Sequence, residues 1–114
     1  MLKILFVAFL SVTFSSAVFS QNSNIATTIE IDVIKIYEQV VEGGYESAQI
    51  YQKLAQENFA KKNFLDSKKW FEKWFTLDEK PEPIAYLQYS KTLEILNQKQ
   101  KAKEYLALYK KLTD

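Results

Sequence analysis

The stretch Tyr51–Phe71, YQKLAQENFAKKNFLDSKKWF, decides the fold once it is set above the stretch 35 residues further on, Tyr86–Leu106, YLQYSKTLEILNQKQKAKEYL. Tyr51 falls on Tyr86, Leu54 on Tyr89, Ala55 on Ser90, Ser67 on Ala102 and Phe71 on Leu106, while Lys62 meets Asn97. Large residues face large ones and small residues face small ones. A recurrence of this length marks a supersecondary unit that stacks on its neighbours. Each stretch divides near its middle, at Lys62-Asn63 and at Asn97-Gln98, into two halves with apolar residues at three- and four-residue steps. That is the pattern of two antiparallel helices joined by a tight turn. Small residues at Ala55/Ser90 and Ser67/Ala102 let the two helices of a hairpin approach closely. The large residues then fill the space between hairpins.

Outward from this core the same reading places five helices. The first starts at Ile29, with Thr28 as its cap and a stripe of Ile29, Val33, Ile36, Tyr37, Val40 and Val41, and it ends at Gly43-Gly44. The second opens at Glu46 or Ser47 and carries Ala48, Tyr51, Leu54, Ala55 and Phe59 inward to about Lys61. The third runs from about Leu65 to Leu77 on Ser67, Trp70, Phe71, Trp74, Phe75 and Leu77. Trp70 and Trp74 lie one turn apart on this stripe, which makes them core residues rather than an aromatic clamp for a ligand. The fourth starts at Pro83, where a missing amide donor costs nothing, and buries Tyr86, Tyr89, Ser90, Leu93 and Leu96. The fifth spans about Lys99 to Leu112, on Ala102, Tyr105, Leu106, Leu108 and Tyr109. Nowhere does a two-residue alternation bounded by turn signals suggest a strand. The fold class is all-α.

This order of sizes (a large residue, large-small, a turn, then small and aromatic on the return helix) resembles the tetratricopeptide repeat. The matching residues are Tyr51, Leu54-Ala55, Ser67 and Phe71, then Tyr86, Tyr89-Ser90, Ala102 and Leu106. The helix from Ile29 is similar to the return helix of a preceding half repeat, with Val33, Tyr37 and Val40 lying 34 residues before Ser67, Phe71 and Trp74. The resemblance implies a right-handed α-solenoid of about two and a half repeats. A narrower likeness is carried by Tyr37–Tyr45 (YEQVVEGGY), Tyr51–Ala55 (YQKLA), Lys69–Leu77 (KWFEKWFTL) and Pro81-Glu-Pro83. This set looks like the N-terminal helical region of OmpA-family proteins of the Bacteroidota, where it precedes a β-propeller and a peptidoglycan-binding domain. Neither follows in these 114 residues, so the wall-binding role of that family is not carried over.

The first twenty residues read as an address. Lys3 precedes the apolar run Ile4–Leu10, and Ser11–Ala17 is small and polar. The expected cut falls before Gln21, with Ala17 as the alternative end of the signal. Residues 21–28 then form a loose mature N-terminus and 29–112 the helical domain, with no membrane span left after cleavage. The implied location is the periplasm or the outer membrane. With no cysteine anywhere, stability rests on packed helices rather than disulfides. Charge is split along the chain: residues 21–60 hold two lysines against six acids, and residues 61–114 hold twelve lysines against eight. Such a dipolar module is able to stack head to tail.

An enzyme is hard to build from this alphabet. There is no His and no Cys, and the two glycines are adjacent at a helix end rather than in a phosphate loop. No cofactor or metal set is recognisable. All fifteen basic residues are lysine, without the Arg forks that nucleic-acid recognition leans on. The expected partner is a protein or peptide. In stacked hairpins the first helices line the concave groove, which nominates Gln49, Gln52, Gln56 and Phe59, then Leu87, Lys91, Glu94 and Ile95. The glutamines form a ladder able to donate to and accept from an extended peptide backbone. The rival reading is a piece or paralogue of a longer OmpA-like envelope protein that acts structurally, through self-association as a homo-oligomer.

Overall fold

The computed structural model describes residues 33–114. The expected export signal, the segment 21–28 and the start of the first helix at Ile29 lie outside the described residues. Among the described residues there are five helices and no strand: α1 (33–42), α2 (Ala48–Ala60), α3 (Phe64–Leu77), α4 (Pro83–Ile95) and α5 (Lys99–Thr113). No helix among them is long and apolar enough to cross a membrane.

The 35-residue recurrence holds at the level of the backbone. The starts of α2 and α4, and those of α3 and α5, are 35 residues apart. Both hairpin turns close in the same way. Lys62 and Asn97 take left-handed φ values of 64° and 66°. The Asn63 amide donates to the Asn58 carbonyl and the Lys62 amide to Phe59, and 35 residues later Gln98 donates to Leu93 and Asn97 to Glu94. These are Schellman ends, which satisfy carbonyls that a helix would otherwise leave open. The end of α1 is a third. Gly44 has φ +95°, its amide donates to Val41, and Tyr45 donates to Val40. Gly44, rather than Gly43, is therefore the residue that needs to be glycine.

A lysine in the left-handed region is strained where a glycine is not. Lys62→Gly is accordingly expected to stabilise the fold by about 0.5–1 kcal/mol, after allowance for the greater freedom of glycine in the unfolded chain. Asn97→Gly should gain less, because asparagine tolerates this conformation. Urea midpoints of the two variants check both statements, and an unchanged or lower midpoint for Lys62→Gly would contradict the first.

Within each hairpin the small residues do what their size suggests, with one inversion. Ser67 on α3 donates its hydroxyl to the Ala55 carbonyl on α2 at 3.1 Å. In the second hairpin the serine is on the other helix, and Ser90 of α4 donates to the Ala102 carbonyl of α5 at 2.7 Å. Each bond joins the positions predicted to be the close approach. The two serines and the two alanines are all buried.

The core is aromatic. Phe71 lies within 6.5 Å, ring to ring, of Phe59, Trp74, Phe75 and Tyr89. Trp70 and Trp74 are both buried, the first stacked on Tyr51 at 5.6 Å, in keeping with a packing role. The Trp74 indole donates to Asp78 Oδ2 at 3.1 Å, and Asp78 Oδ1 accepts from the Lys80 amide. That pair organises the link into α4. Ala85 and Thr92 are also fully buried, two positions absent from the stripe expected for α4.

The expected stripe of α1 requires correction. Ile36 is 56% exposed and Val40 36%, while Ile34, Tyr37 and Val41 pack against the core. The match of Val40 with Trp74, which is 1% exposed, therefore does not hold. The apolar side chains of α1 cover an arc of about 160° at 100° per residue, and only one edge of that arc meets the hairpins. Tyr37 and Val41 of the expected stripe lie on that edge, joined by Ile34, which the stripe did not include. Leu77, expected on the stripe of α3, is likewise 49% exposed.

Candidate functional site

Two sets of polar residues link separate helices of the unit. The first joins α2 to α4. Gln56 Nε2 donates to Gln88 Oε1 at 3.1 Å, across 32 residues of sequence. Beside it Lys53 and Glu57 form an i,i+4 ion pair at 3.1 Å. Gln49 is exposed and Gln52 half-buried, so the glutamine ladder is only partly free: Gln56 is engaged with Gln88, a residue that was not among those nominated. Gln88 sits one residue from Leu87, yet 100° away around the helix, on the side turned to α2.

The eight nominated residues do not all share one face. By their spacing Gln49 and Gln56 share one side of α2, and Ile84, Lys91 and Ile95 share the side of α4 that carries Gln88, where Ile84 (41% exposed) and Ile95 (58% exposed) add apolar surface. Phe59 is half-buried and held by Phe64 at 6.1 Å and Phe71 at 6.5 Å, which makes it a packing residue. Glu94 lines a different cleft, between α4 and α5, together with Lys99 and Lys103. Leu87 lies seven residues before Glu94, two helical turns away on the same side of α4.

The second set is centred on Glu72 of α3. Its Oε2 accepts from the Tyr89 hydroxyl at 2.6 Å, and lies 3.1 Å from Lys68 Nζ and 3.6 Å from Lys101 Nζ. One carboxylate thus joins α3, α4 and α5. Burial works to raise the Glu72 carboxyl, but the hydrogen bonds from Tyr89 and Lys68 and the charges of Lys68 and Lys101 outweigh it and hold the group below its usual value. Burial pushes the Tyr89 phenol far up, and the hydrogen bond to Glu72 adds to the push. Both shifts favour the arrangement seen, a neutral phenol donating to an ionised carboxylate. Periodicity alone could not have found it, because Glu72 and Tyr89 lie on different helices. The resulting site holds three helices together through one carboxylate, and it acts as a clasp. Among the described residues no group of three His, Cys, Asp or Glu is placed to hold a metal ion.

No family model, curated protein or solved structure matches the chain.

Proposed function

We propose that the chain is a non-catalytic protein-interaction module of the bacterial cell envelope, built as a right-handed tetratricopeptide-like α-solenoid, which binds a peptide or a neighbouring subunit along its α2–α4 face. The observation that carries this reading is the 35-residue repetition of the hairpin, down to the two left-handed turn residues and the two hydroxyl-to-carbonyl bonds. Repetition of this kind sets the first helices of successive hairpins side by side. Their shared border presents Gln49, Gln56, Lys91, Ile84 and Ile95, a mixture of amides, one cation and exposed aliphatic side chains. Such a surface suits an extended segment whose backbone is met by amides and whose side chains are met by the isoleucines.

The expected result is that a Gln49→Ala/Lys91→Ala/Ile95→Ala variant recovers at least about tenfold less of a partner captured from envelope extract, a loss of about 1.4 kcal/mol or more. All three side chains are exposed, so helicity by circular dichroism should be unchanged. Undiminished recovery, with protection from hydrogen exchange falling elsewhere, would refute this face. The charge asymmetry of the chain favours a second reading, head-to-tail self-association. Sedimentation at several concentrations separates the two, since a monomer at every concentration excludes self-association.

A further inference from the structure

The repeat supplies a second surface, and the chain itself shows what fits it. On the first hairpin, Ala55, Ser67 and Phe71 are buried to 0% exposure, with α4 seated against α2 and α3. The residues of α4 that enter this seat include Ala85 and Tyr89, one turn apart and both buried, with the Tyr89 ring 5.8 Å from Phe71 and 5.4 Å from Phe75. Thirty-five residues on, the same positions of the second hairpin are Ser90, Ala102 and Leu106. They line an open cleft of about 250 Å³ between α4 and α5, and Leu106 and Tyr109 are only half-buried. Among the described residues no helix is seated there.

The two seats differ at the rim. Where the occupied seat has Phe59, Phe64 and Phe75, the open one has Glu94, Lys99 and Lys110, while Lys68 is matched by Lys103. The centre has stayed small, and the rim has become charged, with three lysines against one acid. A lysine rim keeps an open apolar cleft soluble, and it favours an occupant that carries acids on its flanks.

We infer that the α4–α5 cleft is a docking site for an acidic amphipathic helix of a partner protein, one presenting a small residue and an aromatic one turn apart, as Ala85 and Tyr89 do within this chain. The small residue meets Ser90 and Ala102, the aromatic covers Leu106 and Tyr109, and acids on the flanks meet Lys99, Lys103 and Lys110. A second copy docked α5 to α5 fits less well, because α5 carries five lysines against one acid and would meet its own charge. The inference is independent of the α2–α4 face proposed above.

The test uses a peptide of the α4 sequence, Glu82 to Leu96, with Gln88→Glu and Lys91→Glu, titrated into isotope-labelled protein. Amide shifts are expected at Ala102, Leu106 and Tyr109, with little change at Gln49 and Gln56. Affinity should fall at least about fivefold for Lys103→Glu, an exposed position whose change leaves the core intact, and again when salt is raised from about 0.05 to 0.5 M. The peptide with the native Gln88 and Lys91 should bind more weakly. The inference is overturned if there is no binding at millimolar peptide, if the shifts map to α2 and α3 or to the α2–α4 border, or if Lys103→Glu binds as well as the unmodified protein. Concentration-dependent dimerisation through α5 would equally overturn it, in favour of a second copy as occupant.

Discussion

Phe71→Ala is expected to lower stability by about 3–5 kcal/mol, the range for deleting a fully buried aromatic ring. A helical domain of this size has only about 5–10 kcal/mol in total, so the variant should be largely unfolded at 37 °C. Phe71 has no exposed surface and its ring is shared by four aromatic neighbours drawn from α2, α3 and α4. Its loss leaves a cavity where both hairpins meet, and the surrounding rings are too rigid to fill it. Ile36→Ala is the matched control. That residue is equally apolar and lies on a helix stripe, but it is 56% exposed, and its truncation should cost under about 1 kcal/mol. Urea unfolding followed by circular dichroism gives both numbers. A large loss from Ile36→Ala would mean that α1 presents the other side to the core.

The second large effect is expected on the alkaline side. Four tyrosines, at 51, 86, 89 and 105, have phenols raised above the ordinary value of 10.0, in each case chiefly by burial. Neighbouring acids add to it: Glu46 at Tyr51, Asp78 at Tyr86, and Glu72 at both Tyr89 and Tyr105. Each group has a higher value folded than unfolded. Its contribution is complete below pH 10 and is lost as the pH climbs from there through the folded value, because the unfolded chain releases protons that the folded one retains. Each such phenol steepens the fall by up to about 1.4 kcal/mol per pH unit. The fold should therefore hold to about pH 10 and then unfold cooperatively, with ionisation of these four phenols and loss of helicity rising together. Tyr89→Phe tests the main contributor. It removes the bond to Glu72, costing about 1.5 kcal/mol near neutral pH, yet makes the alkaline transition less steep. Ionisation of Tyr89 or Tyr105 at pH 10 with helicity intact, followed by residue-resolved NMR, would contradict the account.

The clasp between Tyr89 and Glu72 also shows where sequence reading runs out. Glu72, Lys68, Tyr89 and Lys101 come from three helices, and no stripe on any one of them announces the meeting. The same holds for Gln56 and Gln88, although each is visible as a glutamine on a first helix. Treating the first-helix residues as one groove merged two sides of α4, and the structure separates them: Glu94 faces Lys99 and Lys103, and Gln88 faces α2. The side of a helix that meets a neighbour depends on its rotation about its own axis. A period of 3.6 residues constrains that rotation only where the apolar stripe is narrow.

On α2 and α3 the sequence by itself determined most of the buried set, namely Tyr51, Leu54, Ala55, Ser67, Trp70, Phe71 and Trp74, while it missed Asn58, which is buried, and included Leu77, which is 49% exposed. On α1 one flank alone is covered, and only packing against the hairpins selected Ile34, Tyr37 and Val41 over Ile36 and Val40. The 35-residue register was likewise legible in Tyr51–Phe71 and Tyr86–Leu106, since turn residues and small-residue positions are local requirements of a hairpin. Which serine donates across each hairpin, which glutamines pair and which carboxylate binds three helices together were decided by tertiary structure. Those contacts depend on distances between side chains of different helices, and sequence spacing carries no measure of them.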